Sequence, residues 1–197
     1  MPRTHDDQSA NPADVAERSR SGEDAASPSR ESPAGQSSAV NYVWAVLRIS
    51  LGWIFLWAFL DKTFGLGVAT ESENAWVDGG SPTEGYLSFA TRGPLKGWFD
   101  WMAGDAWADW LFMVGLLGIG IALILGIGMR LAAATGAALL VLMWAASLWP
   151  ENNPFLDDHL IYAIALVVLA LVHAGDTWGL GRWWNRQPLV RQHPILR

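Results

Sequence analysis

Four stretches of the chain are so apolar that few polar positions interrupt them. They cover residues 42–60, 107–127, 131–149 and 155–174. A helix needs roughly 20 apolar residues to cross the hydrocarbon core of a bilayer, whereas a helix of a soluble protein keeps a polar stripe that faces water. The pattern therefore predicts an all-α fold, in which four transmembrane helices pack as a bundle.

The connection between the first two predicted spans, residues 61–106, is long but not low in complexity. Residues 81–84, SPTE, have the form of a helix start, with a capping serine, a proline in the first turn and a glutamate three positions after the cap. This pattern predicts a short helix over 82–91, a break at 93–94 and a second short helix over 95–102. Two tryptophans in the second helix favour a position along the membrane surface.

The segment 1–40 has a different composition from the rest of the chain. It is poor in large apolar residues and rich in Ser, Pro, Asp and Glu. Such a segment cannot bury enough apolar surface to offset the entropy lost on ordering, which predicts a disordered tail. The predicted organisation is this tail, a membrane domain over 41–180 and a C-terminal tail over 181–197.

Basic residues are distributed unevenly around the four predicted spans. Four crossings put both termini on one side, and that side carries nine arginines, whereas the other side carries only Lys62, Arg92 and Lys96. Because loops on the cytoplasmic side of a membrane are enriched in Lys and Arg, both termini are predicted to be cytoplasmic. The expected location is a prokaryotic plasma membrane.

Composition excludes several kinds of chemistry. The chain has no cysteine, which rules out thiol–disulfide exchange, iron–sulfur clusters and thiolate zinc sites within it. It carries 19 acidic and 13 basic residues, a balance that does not suit a nucleic-acid partner. The expected partner is the lipid bilayer, and a homo-oligomer remains an open alternative.

Polar residues cluster where the fourth predicted span begins, at Asn153, Asp157, Asp158 and His159. An aspartate there can cap the helix and suits the helix dipole, but a cap explains only one acid. A carboxylate beside a histidine can hold one ring tautomer, which suits a proton relay. We therefore predict Asp158 and His159 as catalytic residues and Asp157 and Asn153 as contacts to a polar ligand. Capping alone is the alternative, and two acids with one histidine do not specify a metal site.

Two basic residues mark the first predicted span. Arg48 lies six residues inside it and Lys62 lies just beyond its end. At 100° per residue they share a face to within about 40° and lie about 21 Å apart. Because charges at membrane depth are costly, Arg48 is predicted as a third catalytic residue, paired with a buried acid or a ligand's polar head, and Lys62 as a ligand contact. The alternative is that both reach opposite interfaces as anchors.

Three motifs resemble the DoxX family of integral membrane proteins. LRISLGWIFLWAFLDKTFG resembles the first span of the family, NAWVDGGSPTEGYLSFATRGP resembles the outer-loop pattern of its DoxD-like branch, and NPFLDDHLIYAIALVVLAL resembles the last span of that branch. The resemblance covers about residues 42–180. It points to the following residues: Arg48, Lys62, the turn 79–83, Asn153, Asp157, Asp158 and His159.

The resemblance also implies a function. DoxD is similar to a small membrane subunit of a thiosulfate:quinone oxidoreductase, so the chain is expected to be a quinone-interacting or anchoring subunit of a membrane redox complex, with a redox partner subunit and no covalently bound cofactor. The quinone is expected in a pocket between the first and fourth spans, in contact with Lys62, Asp157 and Asn153. The predicted outer loops argue against thiosulfate itself, because their acidic field repels an anionic donor. They hold eleven acids against three bases: Asp61, Glu71, Glu73, Asp78, Glu84, Asp100, Asp105, Asp109, Glu151, Asp157 and Asp158.

Two other functions remain as alternatives. The first is a non-enzymatic membrane scaffold for partner proteins, in which the polar cluster only caps a helix. The second is a small-solute or proton-coupled transporter. It ranks last, because the second and third spans offer only Thr135 and Ser147 as polar side chains along a path.

Overall fold

The computed structural model of the chain describes residues 34–150 and 153–197. Four long helices dominate it: α1 (Ala34–Phe64), α3 (Ala106–Leu125), α4 (Met129–Ala146) and α5 (Asp158–Leu171). Three short helices are α2 (Lys96–Met102), α6 (Gly181–Trp184) and α7 (Pro188–Gln192). A π-helix covers Tyr86–Ala90, and 3₁₀ turns cover Ser72–Asn74, Trp76–Asp78, Ala174–Asp176 and Pro194–Leu196.

The prediction of an all-α fold is confirmed for the described residues. Of the predicted disordered tail, residues 1–33 lie outside the described part of the chain, and residues 34–40 belong to α1. The first helix therefore begins earlier than the predicted span and ends at Phe64, four residues later than predicted.

Three helices are long and apolar enough to cross a membrane. These spans are Ser38–Phe64, Ala106–Leu125 and Met129–Ala146. Large apolar side chains on their outer faces, such as Leu111, Val114 and Leu142, are exposed. Since a soluble protein rarely exposes so large an apolar surface, lipid is the solvent for these faces and the chain is a multi-pass membrane protein.

The fourth predicted span is shorter than expected. Helix α5 has 14 residues, which corresponds to about 21 Å against a hydrocarbon core of about 30 Å. The side chain of Asp157 caps its first turn, and His173 adopts a left-handed conformation with φ of 53° just after its last turn. Among the described helices, three rather than four meet the length that a membrane crossing needs.

The core lies between α1, α3, α4 and α5. It includes Leu51 of α1, Met113 and Leu123 of α3, Leu140 of α4 and Leu166 of α5, all nearly inaccessible. Small residues set how closely the helices approach each other. A Cβ atom at Gly136 would lie 2.7 Å from a methyl carbon of Leu166, so a larger residue there would force the Leu166 side chain to shift where α4 meets α5.

The long connection after α1 follows the predicted breaks. The hydroxyl of Ser81 accepts a hydrogen bond from the Glu84 N–H at 3.1 Å, which is the predicted cap. The helix that follows is the π-helix Tyr86–Ala90 rather than an α-helix, and α2 nearly coincides with the predicted 95–102. Gly93, with φ of 75°, forms the break between them. A location of these helices along the membrane surface stays a prediction.

Candidate functional site

The long helices alternate in direction, which gives the bundle two ends. We name the Asp157 end after the first turn of α5; it also holds the ends of α1 and α4 and the start of α3. We name the Arg48 end after the residue that binds the last turn of α3; it also holds the start of α4 and the segment after α5. The predicted site residues are divided between these two ends.

Within the described part of the chain, the hydrogen bonds of Arg48 all go to backbone carbonyls. Its Nη1 donates to the carbonyl oxygens of Leu123 and of Ile124, the latter at 2.8 Å, and its Nη2 donates to those of Thr177 at 3.2 Å and Trp178 at 2.8 Å. The side chain is completely buried. Carbonyls in the last turn of a helix lack intrahelical partners and carry partial negative charge, so a guanidinium suits them. Arg48 thereby fastens α1 to the end of α3 and to the segment after α5.

The structure does not bring Arg48 together with Asp158 and His159. Those residues begin α5, whereas the Arg48 partners Thr177 and Trp178 follow its end, and α5 is about 21 Å long. The predicted pairing of Arg48 with a buried acid is not seen among the described residues, because the partners of Arg48 there are main-chain oxygens. Arg48 belongs to the packing of the fold.

Asp157 and His159 form a close pair at the start of α5. Asp157 Oδ2 lies 2.7 Å from His159 Nδ1, while Asp157 Oδ1 accepts the N–H of Leu160 at 3.2 Å. One carboxylate therefore caps the helix and orients the imidazole. With an N–H at Nδ1 donating to Asp157, Nε2 is left as the ring nitrogen that can bind a ligand or take up a proton. The His159 side chain is 23% exposed, so the ring is accessible.

Asp158 and Asn153 have different positions. The Asp158 side chain is 71% exposed, with Oδ1 3.7 Å from His159 Nδ1. Asn153 Oδ1 accepts the N–H groups of Phe155 and Leu156, both at 2.9 Å, so its oxygen fixes the turn before α5. One potential ligand atom from each of Asp157, Asp158 and His159 lies within 4.8 Å of the others. These three potential ligand atoms do not specify a metal, because Asp157 and His159 are also hydrogen-bonded to each other.

Lys62 lies at the Asp157 end, beside a buried acid that the sequence did not single out as functional. Asp61 is 1% exposed, and its carboxylate accepts the N–H groups of Val68 at 3.3 Å and Ala69 at 3.2 Å. Asp61 thus holds the loop that follows α1. Lys62 is half-buried, and within the described part of the chain no hydrogen bond or ion pair joins it to Asp157 or His159.

Asp109 is a second buried acid, and it fixes the turn 79–83. Its Oδ1 accepts hydrogen bonds from the Ser81 hydroxyl at 2.8 Å, the Thr83 N–H at 3.1 Å and the Thr83 hydroxyl at 2.6 Å. Sequence reasoning counted Asp109 only as part of an acidic loop. The signal that it missed is an acid in the first turn of a membrane helix, where an unpaired charge is costly.

Tyr86 connects the Asp157 end to a groove. Its hydroxyl donates to the carbonyl of Met143 at 3.1 Å. Burial raises the pKa of Tyr86; a hydrogen bond with Ser147 partly offsets this, and the negative charges of Asp157 and Asp158 raise the pKa further. The phenol therefore lies within the electrostatic field of these two carboxylates. Sequence reasoning did not select it, because nothing in its local pattern separates it from an ordinary loop aromatic.

The groove lies between α3 and α4. Its volume is about 740 Å³, which is within the range of small-molecule sites, and its lining is mostly apolar. It runs from Tyr86 and Trp98 at the Asp157 end to Trp184 at the Arg48 end. We expected a pocket between the first and fourth spans, whereas this large groove lies between the second and third.

The chain matches no protein-family model, no curated protein and no solved structure. The resemblance to the DoxX family therefore stays a prediction that depends on the three sequence motifs.

Proposed function

We propose that the chain is a DoxX-like subunit of a prokaryotic membrane redox complex and that it interacts with a quinone. The observation that carries this proposal is the Asp157–His159 pair. A carboxylate 2.7 Å from Nδ1 holds the imidazole in one tautomer, and the ring remains partly exposed at one end of a membrane-embedded bundle. This combination suits proton transfer at a membrane edge.

The proposal treats α5 as a fourth span. One face of α5, with Ala163, Leu166 and Leu169, is buried, while its other faces expose large apolar side chains, including Ile161 and Ile164. A helix that is apolar all round belongs in lipid or in a core. The proposal places the residues that flank α5 at the two interfaces. Four spans put both termini on one side, and the arginine distribution favours the cytoplasm for that side.

The chemistry divides between this chain and a partner. Reduction of a quinone to a quinol takes up two electrons and two protons. A redox partner subunit supplies the electrons, since the sequence offers no cysteine for a redox centre. His159 relays protons from the aqueous side through Nε2, and Asp157 holds the ring in the tautomer that leaves Nε2 accessible. Lys62 at the same end is a candidate contact to the quinone, and Arg48 takes no part.

The test is quinone binding by the purified chain in lipid nanodiscs. Bound quinone is detected by quenching of tryptophan fluorescence, with His159→Gln and Asp157→Asn compared against wild type. Asp78→Asn is the matched control, because Asp78 is an exposed acid of the loop after α1 and does not belong to the Asp157–His159 pair. We expect weaker quinone binding, or a changed pH dependence of that binding, for His159→Gln and Asp157→Asn. The control variant should behave like wild type. Wild-type behaviour of His159→Gln contradicts the proposal.

A non-enzymatic scaffold is the second candidate, and one observation favours it. The Asp157 cap and the Asn153 turn both serve the local backbone, so much of the polar cluster has a structural use without any ligand. If the scaffold is correct, His159→Gln leaves function intact and cross-linking recovers a stable partner protein. A transporter remains the weakest candidate, because Thr135 uses its hydroxyl on the Leu131 carbonyl of its own helix at 2.8 Å.

A further inference from the structure

The groove between α3 and α4 has polar groups at its ends and an apolar middle. Among its lining residues, the Thr83 hydroxyl donates to Asp109, the Thr135 hydroxyl donates within α4, and Trp184 Nε1 donates to the Leu196 carbonyl at 2.6 Å. The phenol of Tyr86 also donates, to Met143, but its oxygen can still accept a hydrogen bond. The groove therefore offers a long apolar channel with an acceptor at the Asp157 end.

The floor of the groove is open where it passes Gly115 and Gly118 of α3. A Cβ atom built at either glycine meets no heavy atom within 4 Å. Helix α4, which forms the opposite wall, has 18 residues, or about 27 Å of length. A single hydrocarbon chain fits within a groove of about 740 Å³ that runs along such a wall.

The charge at the Asp157 end selects among amphiphiles that carry such a chain. The negative charges of Asp157 and Asp158 act on the Tyr86 phenol. A phosphate headgroup beside Tyr86 would meet this negative field, whereas an uncharged ring with hydroxyl or carbonyl groups would not. A quinol hydroxyl can also donate to the Tyr86 oxygen.

We propose that this groove binds a quinol by its hydrocarbon tail, with a ring hydroxyl that donates to the Tyr86 oxygen. This inference rests on the proposed quinone function and moves the binding site from the predicted interface of the first and fourth spans to that of the second and third. Because lipid is as apolar as the groove, the tail is held by packing and shape, and the ring by its hydrogen bond.

The experiment fills the groove without disturbing the fold. Gly118→Leu places a side chain in the open floor, and leucine favours helix more than glycine does. Ala134→Leu is the matched control, because Ala134 is an exposed small residue of α4 that does not line the groove. Two probes are titrated in nanodiscs of zwitterionic lipid, a benzoquinol with a decyl tail and the same quinol without the tail. Trp98 and Trp107 line the groove and report binding by fluorescence quenching.

We expect Gly118→Leu to weaken binding of the tailed probe about tenfold and to leave the tailless probe unchanged, with Ala134→Leu unaffected. Tyr86→Phe should weaken both probes by roughly fivefold, the effect of one hydrogen bond. If the wild-type chain binds neither probe, the proposed function fails together with this inference. If wild-type binding is intact and Gly118→Leu does not change it, the groove assignment alone fails. If Gly118→Leu changes the oligomeric state and leaves both titrations unchanged, the groove binds a second copy of the chain. That result overturns the proposal.

Discussion

The two ends of the bundle use charged side chains in opposite ways. At the Arg48 end, a fully buried guanidinium donates to four main-chain carbonyls and has no acidic partner among the described residues. At the Asp157 end, a carboxylate bonds a histidine ring that remains partly exposed. Sequence reasoning grouped Arg48, Asp158 and His159 into one catalytic set, and the geometry separates them.

The difference lies in what satisfies each charge. A guanidinium that binds the ends of two segments cannot move toward a ligand without leaving several buried acceptors unpaired, so it stabilises the fold. The His159 imidazole has its Nδ1 hydrogen-bonded, but its Nε2 is accessible and can bind a ligand or take up a proton. In a membrane protein, a buried charge is therefore a functional candidate only after its backbone partners have been identified.

The largest expected effect is at Arg48. Arg48→Met should lower the free energy of unfolding by at least about 3 kcal/mol, because several buried carbonyls lose their donor together. The measurement is reversible unfolding in mixed detergent micelles, followed by circular dichroism. Arg130→Met is the matched control, because Arg130 is exposed and makes one side-chain bond, to the Pro194 carbonyl at 3.2 Å. Equal stability of the two variants would return Arg48 to the list of functional residues.

A second effect tests the buried acids at the Asp157 end. Asp109→Ala should free the turn 79–83 and lower stability by about 2 kcal/mol, because three donors lose one acceptor. Hydrogen exchange of the Thr83 N–H should become faster. Glu84→Ala is the control, since Glu84 is exposed and directly follows the turn. Unchanged protection of Thr83 in Asp109→Ala would mean that the turn is held by other contacts.

A third comparison separates capping from chemistry at His159. Asp157→Ala should cost about 1 kcal/mol through loss of the cap, whereas Asp157→Asn should cost less, because asparagine caps equally well. Both variants remove the negative charge beside the ring. If quinone titration responds to both while only Asp157→Ala loses stability, the pair acts in chemistry as well as in capping. If quinone binding follows stability alone, Asp157 is only a cap.

Part of this molecule could be predicted from its sequence. The apolar runs predicted the three long membrane helices, and SPTE predicted the Ser81 cap, because both signals are local. The Asp157–His159 contact was also local, since the two residues are two positions apart. The carbonyl partners of Arg48 could not be predicted, because they lie 75 and more positions away and have no side-chain signature. The hydrogen bonds of Asp109 and the groove could not be predicted either, because both depend on how the helices pack.

The smallest effect concerns a charged pair that serves neither the fold nor the site. Lys96 Nζ lies 2.7 Å from Asp100 Oδ1 on the exposed helix α2, and its hydrogen bond lowers the pKa of Asp100, with a smaller contribution from Thr91. Because the folded-state pKa is lowered, the stabilisation is present at neutral pH and is lost as pH falls through the range where Asp100 is protonated. Lys96→Met should raise the pKa of Asp100 toward its usual value, as measured by carboxyl NMR titration, without changing quinone binding. A loss of quinone binding in this variant would mean that the site extends beyond the Asp157–His159 pair. The difference between the two ends would then be smaller than described.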